Sequence, residues 1–524
     1  MANYLIFLVA VVAALGGMIY GFDSGIVATT LGHDTFKVYM YGPSMSNPAL
    51  SGKSSCAIVS VYNAGQSVGG LSTGFMADKI SRKYTIFVAA FLTVVGAILQ
   101  CAAVNVGMMI AGRLIAGMGC GQILSIVPIY LAEVSPPKTR GFLVGLQGML
   151  ISIGFALANW VGYAGSFASG DAQWRIPLAM QLPVPVFLMG AIFFIPFTPR
   201  WLVQQDRADE ARQVLQRLHG GDSNYLANQE LVQIREQINL ERAQGNMNWL
   251  VALSKMFSRQ YVRRTLTAAF IIAMGQLSGS SVIQNFQNIF YAAVGFTGKT
   301  SLLISGAYGM MGVIGQVIYL TVVADRWPRT TTLWSGSLVL SCMISICMAL
   351  SSQYGSTSNE NQTGARAAIA FIFLYSMSYA IFFNSMACLT EIPLPAVFRD
   401  ETLTPVLQIW VVPSELFPFF LRSKGLAFAV FVKAVVAIVL SQITPIALAH
   451  VGWRSEYHPI PLQHRDELTF YVQSGKSIEE IAELFGDTLA TNHIGEIDVD
   501  AKAAAPSTVE HVEEYDLEES ARKG

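Results

Sequence analysis

The feature that most constrains this chain is a series of apolar runs, each about 20 residues long, that recurs over residues 4–450. A helix of about 20 residues crosses the ~30 Å hydrocarbon core of a bilayer. With 53% hydrophobic and only 13% charged residues, the composition excludes a water-soluble globular protein. Ten strong spans and one interrupted span are predicted. They begin near Tyr4, Ala57, Tyr84, Gly107, Phe142, Ile176, Thr265, Leu302, Thr331, Ala367 and Gly425.

The basic residues between these spans fall in loops on one side of the predicted membrane. They are Lys79, Arg82, Lys83, Lys138, Arg140, Arg326, Arg329, Arg422 and Lys424. Because cytoplasmic loops carry an excess of Lys and Arg, this asymmetry predicts a cytoplasmic N-terminus. The sequence contains no long basic block, catalytic triad, metal-binding cluster or nucleotide loop. It therefore predicts neither nucleic-acid binding nor an enzyme, and no metal or cofactor.

The chain divides into two halves that repeat one another. A polar stretch at residues 199–264, with helical periodicity, separates an N-terminal bundle at 1–198 from a C-terminal bundle at 265–452. Charged motifs after the second and fourth spans recur in the second half, at offsets of 247 and 282 residues. The repeated residues are Asp78, Arg82 and Lys83 with Asp325 and Arg329, and Glu133 and Arg140 with Glu415 and Arg422.

Three segments depart from this two-half pattern. The larger second offset predicts an insert at residues 389–408, whose prolines and charges interrupt the tenth span. Residues 453–486 are too polar to cross a bilayer where a twelfth span is expected. Residues 487–524 are acidic and Ala-rich, and a disordered tail is predicted there.

Several motifs together resemble the sugar porter family of the major facilitator superfamily. They are residues 21–25 (GFDSG), 74–83 (GFMADKISRK), 112–121 (GRLIAGMGCG), 128–133 (PIYLAE) and 196–202 (PFTPRWL). The resemblance implies an all-α membrane protein with two six-helix bundles around a central cavity, in which the twelfth helix of this chain is missing or disrupted. It also implies a monomer in the lipid bilayer of the plasma membrane, with a sugar-like small molecule and a proton as its partners.

The resemblance implies a proton-coupling pair. Asp23 lies in an otherwise apolar helix, where a carboxylate is expensive unless it has a partner. In proton-coupled sugar porters the matching aspartate binds the proton, and the matching arginine of the fourth helix, here Arg113, is its counter-charge. The alternative is a carboxylate at the membrane surface that water satisfies.

Substrate-binding residues are expected on the fifth, seventh, tenth and eleventh spans. The family binds sugar hydroxyls with amide side chains, which offer both donors and acceptors, and stacks the sugar ring on an aromatic side chain. Lys433 is unexpected in an apolar span, and it either snorkels to an interface or faces the cavity and favours a carboxylate-bearing ligand. The candidates are Gln147, Gln276, Ser281, Gln284, Asn285, Trp410 and Lys433.

The nine repeated charged residues have two readings. They set the topology, and as inter-bundle ion pairs they could hold one conformation closed at the cytoplasmic side.

The function that the sequence favours is proton-coupled uptake of a monosaccharide or related polyhydroxy compound by alternating access. A facilitative carrier, an organic-anion carrier for a sugar acid or quinate-like compound, and a non-transporting nutrient sensor remain alternatives. The particular substrate is left open.

Overall fold

The computed structural model describes residues 2–42, 48–135, 140–219, 224–243, 249–259, 261–293, 295–296, 298–323, 329–354, 362–384 and 419–451. Within these ranges the regular structure is helical. The predicted insert at 389–408 and the predicted segments at 453–486 and 487–524 lie outside the described residues.

The first six predicted spans are helices. Five are single long helices, and the sixth is broken into two at residues 180–182, just before Pro183, which is the first residue of the second piece. The helices are α1 (Ala2–Gly32), a short α2 (Asp34–Tyr41), α3 (Pro48–Lys79), α4 (Arg82–Cys101), α5 (Val106–Val134), α6 (Arg140–Gly165), α7 (Ala172–Ala179) and α8 (Pro183–Ala191), which a 3₁₀ turn at Ile192–Phe194 extends.

Small residues bring these helices close together. A Cβ at Gly21 would collide with the backbone carbonyl of Ile151, and one at Gly69 would collide with the carbonyl of Met118. Along each helix pair, later residues of one helix contact later residues of the other. The α1 helix therefore lies parallel to α6, and α3 lies parallel to α5. Because lipid provides no hydrophobic force between spans, this close packing is what holds the bundle together.

The polar linker is a group of short amphipathic helices. They are α9 (Pro199–Gln204), α10 (Ala208–His219), α11 (Asn224–Ala243) and α12 (Trp249–Met256). Trp201, Leu215 and Ile234 form part of a small apolar cluster of their own. The tyrosine hydroxyl of Tyr130 on α5 donates to the carbonyl of Pro196, 2.8 Å away, and so ties the start of the linker to the first bundle.

The second half contains helices at the five remaining predicted spans. The seventh is broken at Gly279, which has a positive φ of 88°, and α14 is kinked at Phe286. The helices are α13 (Val262–Leu277), α14 (Ser280–Ala293), α15 (Lys299–Ile318), α16 (Arg329–Tyr354), α17 (Gln362–Tyr379) and α18 (Phe419–Val451), with π-helical turns at Tyr319–Val323 and Ala380–Asn384.

Of the helical segments in the described ranges, eight are long and apolar enough to cross a membrane. Three predicted spans fall outside that set for identifiable reasons. The α3 helix carries buried polar side chains such as Asn63 and Gln66, α13 and α14 are each shortened by the break at Gly279, and α16 has only a shorter apolar stretch, Ser335–Cys347.

The two bundles touch at both ends of the molecule. We call the end with the C-terminus of α3 the Asp78 end, and the end with the C-terminus of α1 the His33 end. At the Asp78 end, Lys424 of α18 contacts Asp78 of α3. At the His33 end, the Asn288 amide of α14 donates to the carbonyl of Ala28 on α1, 2.5 Å away, and Ser441 of α18 lies 2.7 Å from Ser60 of α3, hydroxyl to hydroxyl.

Candidate functional site

A central cavity lies between the two bundles, with an empty volume of about 780 Å³ when the open solvent at its mouth is included. Both halves of the chain contribute to its wall. The lining residues are Tyr20, Gly21, Ser24, Ile151, Ser152 and Phe155 from the first bundle, and Gln276, Ser280, Ser281, Gln284, Tyr308, Gly309, Gly312, Ser376, Tyr379, Ala380, Phe383 and Lys433 from the second.

Four of the seven sequence-predicted substrate residues line this cavity. Gln276 lies at the end of α13 and accepts a hydrogen bond from the hydroxyl of Ser281, across the break at Gly279. Gln284 follows one turn along α14, and Lys433 faces the same cavity from α18. The break in the seventh span therefore brings polar groups of α13 and α14 to one surface.

Two of the other three candidates, Gln147 and Asn285, are not part of the lining. Gln147 is buried on α6, where it packs against Gly17 of α1. Asn285 is half-buried on α14, one residue beyond Gln284. Trp410 lies outside the described residues.

An aromatic surface in the cavity was not singled out from the sequence. Tyr379 and Phe383 stack with ring centroids 5.9 Å apart and an interplanar angle of 6°. Phe155 meets Tyr308 edge to face, at 6.1 Å, across the two bundles. Tyr379 and Phe383 are four residues apart, and this helical spacing was the available signal that they share a face. The cavity therefore combines ring faces with amide and hydroxyl groups.

Asp23 and Arg113 form a buried ion pair beside this cavity. The Arg113 Nη1 atom lies 2.9 Å from Asp23 Oδ1, and the two residues are only 1% and 4% exposed. Arg113 Nη1 also lies within 3.4 Å of the Gln100 side-chain oxygen. Asp23 is therefore buried and paired with Arg113, and it is not a surface carboxylate that water satisfies.

Two further groups lie beside the Asp23–Arg113 pair. The Cys120 thiol donates to Asp23 Oδ2 at 3.5 Å, and the guanidinium of Arg113 lies 4.2 Å above the centre of the Tyr62 ring. Tyr20 and Ser24 flank Asp23 on α1 and line the central cavity, which Asp23 itself does not. Asp23 therefore lies on the helix that carries part of the cavity wall.

A second ionic cluster lies at the Asp78 end. Arg82 Nε is 3.2 Å from Glu133 Oε2, and Arg82 Nη2 is 3.7 Å from Asp78 Oδ1. Lys424 Nζ of the second bundle lies 3.0 Å from Asp78 Oδ2. Asp78 thus contacts a cation from each bundle.

Of the nine predicted gating residues, four have side chains that the structure describes and five do not. Asp78, Arg82 and Glu133 come together, whereas Lys83 donates instead to the carbonyl of Phe193, 3.1 Å away. Asp325 and Glu415 lie outside the described residues, and the structure describes only the backbone of Arg140, Arg329 and Arg422. Lys424 was noted as a loop cation but was not predicted as the inter-bundle partner.

Comparisons with known proteins identify transporters as the relatives of this chain. A family model described as sugar (and other) transporter matches residues 9–402. The MFS-type transporter criB of Aspergillus cristatus is 34% identical over 424 residues, which cover 80% of this chain and 83% of criB. The high-affinity glucose transporter of Kluyveromyces lactis is 25% identical over 507 residues, which cover 93% of this chain and 86% of that protein.

The fold is also similar to a solved structure. The proton:xylose symporter XylE bound to 6-bromo-6-deoxy-D-glucose superposes with a TM-score of 0.76 and 19% sequence identity, over 93% of this chain and 100% of that one.

Proposed function

Because the chain belongs to the sugar transporter family of the major facilitator superfamily, we propose that it carries a monosaccharide or related polyhydroxy compound across a membrane together with a proton. The predicted all-α major facilitator fold is confirmed by the superposition on XylE. The prediction that the chain is a multi-pass membrane protein and no enzyme is confirmed by its relatives. We further propose that it works as a monomer in the plasma membrane and imports its substrate.

The single observation that carries the sugar assignment is the composition of the central cavity. A sugar presents hydroxyl groups around its edge and apolar C–H faces, so it needs amide or hydroxyl partners together with an aromatic surface. Gln276, Gln284 and Ser152 supply polar groups, and Tyr379 and Phe383 supply stacked rings. Both requirements are met within one cavity between the bundles.

The observation that supports proton coupling is the buried Asp23–Arg113 pair. A buried carboxylate that can take up a proton changes from a charged to a neutral partner of Arg113. The proton would bind a carboxylate oxygen of Asp23 and weaken its contact with Arg113 Nη1. Since Tyr20 and Ser24 lie on the same helix and line the cavity, movement of α1 would link this step to substrate binding.

The contacts at the two ends of the molecule support alternating access. The Lys424–Asp78 pair joins the bundles at the Asp78 end, and the Asn288–Ala28 hydrogen bond joins them at the His33 end. We infer that one set breaks while the other is made, so that the cavity opens to one side at a time. Each contact is weak by itself, which suits two states of similar free energy.

Uptake into proteoliposomes tests this function. The full chain is reconstituted, a pH gradient that is acidic outside is imposed, and labelled glucose, xylose and galacturonate are offered with and without a protonophore. We expect at least one of them to accumulate, and the protonophore to abolish its accumulation. Equilibration without accumulation would leave a facilitative carrier, and uptake of none of the three would overturn the assignment.

A further inference from the structure

A second, smaller pocket lies against Asp23, between the first, fourth and sixth spans of the first bundle. Its empty volume is about 290 Å³, again with open solvent included. Asp23 belongs to the lining of this pocket but not to the lining of the central cavity. We call it the side pocket, and its lining residues are Ile19, Phe22, Asp23, Thr93, Gln181, Val184 and Pro185.

The side pocket lies well inside the bundle, where the sixth span is broken. Gln181 is located in this break, between the end of α7 and the start of α8. Asp23 lies nine residues before Gly32, the end of α1, and Thr93 lies eight residues before Cys101, the end of α4. Both helices end at the His33 end of the molecule. At 1.5 Å per residue, Asp23 and Thr93 are therefore about 14 and 12 Å from that end, at similar depths.

Gln181 contains a buried polar atom that the protein does not satisfy. Its side chain is only 7% exposed, and its amide nitrogen Nε2 has no hydrogen-bond partner among the described residues. A buried amide of this kind costs free energy unless water pairs with it. The Thr93 hydroxyl donates to the carbonyl of Ala90, 2.7 Å away, and its oxygen retains the capacity to accept a hydrogen bond. The side pocket therefore offers a water molecule both a donor and acceptors.

The carboxylate of Asp23 also has acceptor capacity left. Its Oδ1 accepts from Arg113 and its Oδ2 from the Cys120 thiol, whereas an ionised carboxylate has about four acceptor sites. The described titratable groups that face Asp23 from neighbouring helices are Arg113 and Cys120 of α5 and Tyr62 of α3. None of these three lines the side pocket. Among the described residues of its lining, Asp23 is thus the one that can take up a proton.

We propose that the side pocket is a water-binding site through which the proton reaches Asp23, separately from the substrate in the central cavity. A hydronium ion in the side pocket transfers its proton to a carboxylate oxygen of Asp23. One O–H bond breaks as another forms, and a neutral water molecule remains, held by Gln181. Gln181 is a positioning residue in this step, because it orients the water and does not itself take the proton.

This inference rests on the proposed proton coupling and adds the path of the proton to it. Two separate paths have a consequence for a carrier that moves both ligands together. Because substrate and proton do not share an entrance, either one can bind while the other is already in place.

Proton uptake after a pH jump tests the path, because it follows protonation of Asp23 without a transport cycle. The purified full chain is mixed rapidly from neutral into acidic buffer, and the infrared band of protonated carboxyl groups is recorded over time. The part of the band that Asp23→Asn lacks belongs to Asp23. Each measurement is made with and without an excess of D-glucose, D-xylose or D-galacturonate, whichever stabilises the protein against heat. We expect the bound compound to leave the rate of protonation unchanged.

Three variants locate the path. Gln181→Leu removes the amide at similar volume and should slow protonation of Asp23 about tenfold, as expected for loss of one hydrogen bond. Substrate exchange at equal pH on both sides of a proteoliposome should stay as in the wild type, because it needs no net movement of protons. Gln181→Asn keeps an amide and should retain most of the rate. The matched control is Gln122→Leu, since Gln122 is a buried glutamine that donates to Ser72 and lines neither pocket, and it should keep the wild-type rate.

The outcomes separate the path from the coupling on which it rests. If the bound compound blocks protonation of Asp23, the proton enters through the central cavity, and this inference alone is overturned, even where Gln181→Leu fails to fold. Protonation at the wild-type rate in a folded Gln181→Leu would also overturn it. If no carboxyl band depends on Asp23 at any pH, Asp23 takes up no proton, and the proposed coupling falls as well.

Discussion

At the scale of single residues, each carboxylate oxygen of Asp23 has a buried partner. Arg113 provides the charge, and the Cys120 thiol reaches the second carboxylate oxygen. Asp23 and Arg113 could be paired from the sequence, because both lie in recognisable motifs. Cys120 and Tyr62 could not be placed beside them, because helix packing alone decides which neighbours of a motif face inward.

Glu133 provides a residue-scale prediction about stability. Its side chain is fully buried and lies 3.2 Å from Arg82. Glu133→Gln removes the nearer and fully buried counter-charge of Arg82 and leaves only the partly exposed Asp78, so we expect the free energy of unfolding to fall by about 3 kcal/mol. Glu210→Gln is the control, because the Arg207–Glu210 pair is 43% and 49% exposed and should contribute less than about 1 kcal/mol. Equal shifts in unfolding midpoint for the two variants would contradict the ion-pair account.

His33 provides a prediction about pH. It is buried between α1 and α2, and burial lowers the pKa of its imidazole from 6.5 to about 4. The unfolded chain binds the proton near pH 6.5 and the folded chain only near pH 4. Stability is therefore lost as the pH falls through this window, by up to about 3 kcal/mol. Unfolding midpoints of the wild type and His33→Gln should diverge between pH 7 and 4, with the smaller decline in the variant. Parallel pH curves would be inconsistent with a buried neutral imidazole.

At the scale of helices, the long spans could be predicted because a membrane requires about 20 apolar residues. The breaks in the seventh span could not be predicted in this way. The turn at Gly279 and the kink at Phe286 arise within one predicted span, and they place Gln276, Ser281 and Gln284 around the cavity. Gly279 lies between Ser278 and Ser280, which permits a turn, but the sequence does not determine whether the helix breaks there, because a break depends on which neighbouring helices take up the freed backbone groups.

The contact between α3 and α18 provides a prediction at this scale. Lys424→Gln removes the inter-bundle pair with Asp78 but leaves Arg82 beside it. A partly exposed pair contributes about 1 kcal/mol, so we expect the ratio of molecules closed at the Asp78 end to molecules open there to fall about fivefold. Distances between spin labels on the two bundles measure this ratio. Lys79→Gln is the control, because Lys79 contacts Phe75 of its own helix, and an identical distance distribution in Lys424→Gln and wild type would exclude a gating role.

At the scale of the whole molecule, the two-bundle fold could be predicted from the internal repeat and from the family resemblance. The contacts between the bundles could not be predicted, because the residues that make them occur in no repeated motif. These residues are Lys424, Asn288 and Ser441. The insert at residues 389–408 and the interrupted region at 453–486 lie outside the described residues, and both stay predictions.

Removal of the predicted insert tests the prediction that residues 389–408 and 453–486 interrupt two membrane spans. Prolines and charges within a span are costly in a bilayer. Deletion of residues 389–408, together with replacement of 453–474 by an apolar span, should raise both the amount of protein at the cell surface and the uptake per cell. Equal expression and equal uptake by the original and altered chains would mean that these segments belong to the working protein.

The central claim is that Asp23 couples a proton to substrate movement, and accumulation by Asp23→Asn in proteoliposomes tests it most directly. An amide cannot bind the proton but keeps the size of the side chain. With an inward proton gradient, we expect Asp23→Asn to exchange substrate across the membrane without accumulating it. The control Asp34→Asn, which alters an exposed carboxylate paired with Lys37, should accumulate substrate as the wild type does. Accumulation against a gradient by Asp23→Asn would contradict the account.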